Sequence, residues 1–197
     1  MLRDMIADYP DAAPRLAPFL AQWDYMQGQL LARLSGLTDN ELLWEPAPRV
    51  LTVRPGPDGT PTPDATGLPP TPDAFPPRTL AWSIGHLGSL TLIRADWLVG
   101  EHRLDDPEVT WPTSAADAIP FLQRGLDAWR SGIGAMSDVD LDTVGRSAYP
   151  HGLDTTLPLL DIVWWMNKEL VEHASEIWFV RDLYAVTEHG PSVRPSH

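Results

Sequence analysis

Eleven of the chain's 21 prolines fall between Pro46 and Pro77, in the stretch PAPRVLTVRPGPDGTPTPDATGLPPTPDAFPP. Proline locks φ and has no N–H to donate, so neither a helix interior nor a central strand can run through this window. The stretch reads as a long irregular loop with only short apolar runs such as Val50-Leu51. Within a compact domain such loops are lids, partner-binding segments or disordered stretches, and composition leaves those alternatives open. Regular structure must come from the segments on either side.

Those segments are helical in period. Leu16, Phe19, Leu20, Trp23, Met26, Leu30 and Leu34 recur at three and four residues, and the stripe ends near Gly36. After Pro76-Pro77, the segment RTLAWSIGHLGSLTLIRADWLVG repeats the pattern through Trp82, Leu90, Ile93 and Trp97, with Gly100 as its stop. A third helix is predicted from a Thr113 or Ser114 cap through Ile119, Leu122, Leu126, Trp129 and Ile133, with Pro120 in its first turns. The fourth runs from about Thr156 to Tyr184. Four long helices without a strand pattern predict an all-α four-helix bundle, with the proline-rich loop 46–78 inserted between helices one and two. The bundle domain is assigned residues 1–186 and a flexible tail residues 187–197.

Composition removes several function classes. The 197-residue chain has no cysteine, which excludes disulfide scaffolds, thiolate zinc fingers, iron–sulfur centres and cysteine nucleophiles. A net charge of −13 opposes binding to phosphate backbones, so no nucleic-acid partner is expected. No run approaches the roughly 18–20 apolar residues of a membrane span, and the start MLRDMIADYPDAAPRL lacks the apolar centre of a signal peptide. The expectation is a cytoplasmic protein without a membrane partner. Among the 14 basic residues Lys168 is the sole lysine.

The fourth helix carries polar groups on an apolar stripe. At about 100° per residue, Leu159, Ile162, Met166, Leu170, Ile177, Val180 and Tyr184 share one face, and Glu169 and His173 fall in its middle. Four residues apart, those two side chains lie one above the other. A carboxylate on a buried stripe needs a partner, and His86 on the second helix shares its face with Trp82, Leu90, Ile93 and Trp97. His86, Glu169 and His173 thus form a candidate His₂Glu metal set with an open fourth position. The same trio suits non-haem Fe(II), and a hydrogen-bonded core pair is the alternative. Glu172 and Glu176 compete for the carboxylate role. Glu172 lies on the more exposed side, whereas Glu176, about 60° from His173, is placed to hydrogen-bond a ligand from behind. Neither HEXXH nor G-x-S-x-G occurs, so zincin and serine-hydrolase chemistry are not indicated.

At these residues the chain resembles the DinB-like superfamily, which includes mycothiol- and bacillithiol-dependent S-transferases. WEPAP at 44–48 resembles the motif that closes the family's first helix. TLAWSIGHL at 79–87 resembles the helix carrying the first metal histidine, WPTSAADAI at 111–119 the opening of the third helix, and NKELVEHASEIWFVRDLY at 167–184 the last helix. The resemblance implies a divalent metal (zinc, nickel or iron) between helices two and four, held by three histidines in most members. His86 and His173 match two of these positions, and Glu169 stands at the third. It further implies an activity in which a metal-bound low-molecular-weight thiol attacks an electrophilic small molecule. A cysteine-free chain is compatible with a borrowed thiol, and the arginine-, alanine- and proline-rich composition is associated with mycothiol users. The competing expectation is a non-catalytic bundle, a binding or stress-response module whose His/Glu cluster is structural.

Other residues receive secondary roles. His151 and Tyr149, in SAYPHG before the fourth helix, are candidate catalytic groups, and Arg94 is a candidate for binding an anionic thiol or substrate. His102, His189 and His197 are expected on the surface, and Arg181 and Asp182 in capping or surface pairing. Trp164, Val171 and Trp178, spaced by seven, form a second apolar stripe opposite His173. That stripe predicts a homodimer, unless the proline loop folds back over it.

Overall fold

The computed structural model describes residues 9–64, 76–146 and 155–188. Helix α1 (Ala17–Arg33) opens with proline in its first turn, where no N–H is required, and buries Leu20, Trp23 and Leu30. Gly36, at φ 75°, turns the chain out of it. A short helix, α2 (Asp39–Leu42), follows at once, capped by the Thr38 hydroxyl accepting the Glu41 N–H at 3.3 Å. WEPAP therefore follows α2 and does not close α1, which corrects the reading by resemblance.

The expected irregular loop is corrected in its first half. Strands β1 (Val53–Pro55) and β2 (Pro61–Pro63) pair antiparallel, with Val53 opposite Pro63, Arg54 opposite Thr62 and Pro55 opposite Pro61. Prolines are tolerated here because each strand of a two-stranded ribbon keeps one unpaired edge. Asp64 ties the open end, accepting from Thr52 N at 3.0 Å and from Arg54 Nε at 3.0 Å. The segment is stitched to the next helix by Leu51 N to Pro77 O (2.9 Å), Thr79 N to Leu51 O (3.0 Å) and a 2.9 Å bond between the Thr79 and Thr52 hydroxyls. The hairpin thereby anchors the start of α3.

Helix α3 (Leu80–Val99) begins at that anchor, with Thr79 as cap, and stops at Gly100 as its sequence indicates. It is buried on nearly every side, because small residues let neighbours approach: a Cβ on Gly85 would meet the Trp111 ring, and one on Gly88 the Phe121 ring. Helix α4 (Ala115–Gly134) is capped by Ser114, the second of the two anticipated residues, and buries Leu122, Leu126, Trp129 and Ile133. The short α5 (Asp138–Leu141), with a Ser137–Asp140 capping box, leads towards α6 (Leu159–Glu188). The long helices α1, α6, α3 and α4 pack in a ring in that order, so the chain is an all-α bundle as predicted. Among the described residues no helix is long and apolar enough to cross a membrane.

Candidate metal centre

Helices α3 and α6 meet along the stripe that carries polar groups. His86 lies one and a half turns into α3, where its ring stacks on Trp82 at 4.9 Å and 12°. Glu169 and His173 rise from α6 opposite it. The Glu169 Oε2 atom stands 3.3 Å from His173 Nε2 and 3.6 Å from His86 Nε2. One ligand atom from each of the three residues lies within 4.8 Å of the other two. The two imidazole rings are 4.7 Å apart, edge to face. Glu169 and His173 are buried, and His86 is half-buried.

A second tier of bonds holds these groups. Glu176, one turn beyond His173, brings Oε2 within 3.1 Å of His173 Nδ1. The same oxygen accepts the Ser83 hydroxyl at 3.1 Å, and Oε1 accepts Arg78 Nη1 at 2.7 Å. A carboxylate behind Nδ1 keeps the proton there and turns the Nε2 lone pair inward, the arrangement metal-binding histidines require. On the other side, the Lys168 ammonium bonds Glu169 Oε1 at 3.1 Å and Glu172 Oε2 at 2.6 Å. Arg78, 4.8 Å from the Trp82 ring, and Trp111, 6.1 Å from it edge-on, complete the wall behind His86.

The electrostatics follow from these bonds. Burial opposes ionisation of Glu169, but His173, His86 and Lys168 outweigh it and hold the carboxyl well below the usual range. Glu176 is likewise lowered, with His173 and Arg78 overcoming burial. Burial pushes the His86 imidazole down, against the pull of Glu169 and with the positive charge of His173 and Arg78 adding to it. Burial also acts against protonated His173, yet its two glutamate partners raise it. The pocket thus turns two imidazoles and the Glu169 carboxylate towards one point, with the Glu176 carboxylate behind His173, a donor set for a cation.

A divalent ion fits that set. Four ligands at about 2.1 Å around a tetrahedral ion lie about 3.4 Å apart, and the Glu169 oxygen is 3.3 and 3.6 Å from the two imidazole nitrogens. His86, Glu169 and His173 would hold the ion, and a fourth position would be open.

Other anticipated residues lie elsewhere. Glu172 is 56 % exposed and occupied with Lys168. Arg94 is buried over the Trp165 ring at 5.1 Å, eight residues and about 12 Å along the helix axis from His86. His102 is exposed, in the left-handed region at φ 58°, with its ring 5.7 Å from Trp97. Asp182 makes the expected surface pair with Arg33, at 2.7 Å. Arg181 takes the capping role that was expected of it, donating to the Arg33 carbonyl at the end of α1, and also grips buried Glu41 of α2 through two bonds of 2.5 and 3.0 Å. His151, Tyr149, His189 and His197 lie outside the described residues.

Sequence reasoning missed Arg78, Ser83, Trp111 and the bonding of Lys168. Arg78 lies just before α3, in a bridge to Leu51, so helical period gives no signal for it. Nothing in helical periodicity links Lys168 to Glu169, because adjacent residues point about 100° apart.

A family model of the DinB superfamily matches residues 22–177, a span that holds all three candidate ligands and Glu176. No curated protein and no solved structure matches the chain. The bundle, the α3–α6 seam and the match across most of its length lead to one conclusion: the chain belongs to the DinB superfamily.

Proposed function

We propose that the protein is a metal-dependent enzyme that transfers a low-molecular-weight thiol, mycothiol-like in kind, to an electrophilic small molecule. The observation that carries this reading is the convergence of two imidazole nitrogens and one carboxylate oxygen on a single buried point. A bound divalent cation supplies Lewis acidity, which lowers the pKa of a thiol brought to the open position. Glu176 keeps the Nδ1 proton on His173, Trp82 shields one face of His86 from water, and Lys168 engages the outer oxygen of Glu169. The chain supplies no thiol of its own, having no cysteine. In the net reaction, R–SH and R′–X give R–S–R′ with release of H⁺ and X⁻. One C–S bond forms, one C–X bond breaks, and the proton passes to solvent.

The direct assay mixes zinc-loaded protein with a panel of small thiols and an aryl chloride, and follows loss of free thiol. Loss that depends on zinc and disappears in His173→Ala supports the reading. Unchanged thiol in the presence of one bound zinc per chain would overturn transfer. It would favour the second reading, a non-catalytic binding or stress-response module. That reading rests on its own observation: Glu169 and Glu176 are already engaged by Arg78 and by side chains of α3 and α6. We also propose that a second copy packs on the outer face of α6, where Trp164 and Phe179 are 59 % and 67 % exposed.

A further inference from the structure

Glutamate brings two oxygens to a site where imidazole would bring one nitrogen. If both bound the ion, together with His86 and His173, four positions would be filled and none left for an incoming ligand. Three observations bear on this. Lys168 Nζ lies 3.1 Å from Glu169 Oε1, whereas both histidines face Oε2. The ammonium is steadied from outside by Glu172 Oε2 at 2.6 Å, one turn further along α6. In a chain with 14 basic residues, this position alone carries lysine.

We infer that Lys168 is a positioning residue: it occupies Oε1 of Glu169, makes that glutamate a one-oxygen ligand, and restores the charge balance that an extra carboxylate upsets. This rests on the metal reading above. The choice of lysine has a physical reason. An ammonium is a compact point charge that bonds one oxygen, whereas a guanidinium forks across both oxygens of a carboxylate and would compete with the ion for Oε2. The positive charge next to Glu169 also favours an anionic ligand at the open position.

Cobalt(II) binding to the purified full chain tests this without an activity assay. Visible d–d bands are strong for four-coordinate cobalt and weak at higher coordination, and azide serves as the anionic probe. Wild-type protein is expected to bind one cobalt with strong bands and to take up azide. In Lys168→Gln, Oε1 is released to the metal and fills the open position, so azide affinity falls about tenfold, and azide that does bind makes the ion five-coordinate, so the azide-saturated bands weaken where those of the wild type stay strong. In Lys168→Arg, cobalt affinity falls about tenfold, through competition for Oε2. Wild-type cobalt binding with bands, azide affinity and cobalt affinity unchanged in both variants would overturn the role of Lys168 and leave the metal site standing. Failure of the wild type to bind cobalt would overturn both. A merely structural Lys168 would shift melting temperature and leave the bands as they are.

Discussion

Tyr9 shows at the scale of one residue what the site residues show in combination. Its hydroxyl donates to Asp24 Oδ2 at 2.5 Å, and Arg130 clamps the same carboxylate through Nε and Nη2 at 2.7 and 3.0 Å. Burial and the neighbouring Asp24 push the phenol up to about 12. A group whose folded pKa is raised gives stability that is complete below its unfolded value, near 10, and lost as pH rises through the folded value. Unfolding free energy is therefore expected to fall between pH 10 and about 12, and Tyr9→Phe to remove that slope. Denaturant titrations at intervals across this range, with ultraviolet titration of the phenols, check it. An unchanged slope in the variant would contradict the assignment. The residues of the candidate metal centre divide by legibility at this same scale. His86, Glu169 and His173 can be read because helical period alone places each on an apolar face. Ser83 and Arg78 meet Glu176 only through the axial register of α3 against α6, which period does not specify.

At the scale of elements, the contact between α3 and α4 depends on backbone closeness. A Cβ on Gly125 would stand 2.6 Å from the Gly88 carbonyl oxygen and closer still to the Thr91 hydroxyl. Alanine favours helix over glycine by up to about 1 kcal/mol, but overpacking costs about 1–3 kcal/mol, so Gly125→Ala is expected to destabilise. Gly28 on α1 has nothing within 4 Å of its added Cβ, and Gly28→Ala is expected to stabilise by about 0.5–1 kcal/mol. Urea denaturation of the two variants checks opposite signs for one chemical change, and equal signs would contradict the packing argument. The long helices were legible because starts and stops bracket them: Pro76-Pro77 and Gly100 around α3, Ser114 on α4. The four-residue α2 and α5 are too short for a period to emerge, although Thr38-x-x-Glu41 and Ser137-x-x-Asp140 are capping signals. The hairpin was hidden because Pro55, Pro61 and Pro63 argue against strands except at an open edge.

For the whole molecule, the second stripe of α6 divides in two. Trp178 is half-buried with the Arg33 guanidinium 5.8 Å from its ring, and Val171 is half-buried two turns before it, whereas Trp164 remains exposed, as do Phe179 and Val186 outside the predicted stripe. If this face receives a second copy, sedimentation equilibrium at micromolar concentration is expected to give a dimer for the wild type and a monomer for Trp164→Glu. A wild-type monomer would contradict it. The net charge of −13 draws divalent cations towards the molecule in general, so retention must be traced to named side chains. The decisive measurement is elemental analysis after zinc loading and gel filtration without chelator, on wild type, His86→Ala and His173→Ala, with helicity monitored by circular dichroism. About one ion per wild-type chain is expected, lost from both variants while they remain helical. Wild-type protein holding less than about a fifth of an ion per chain, or variants holding as much as wild type, would contradict it.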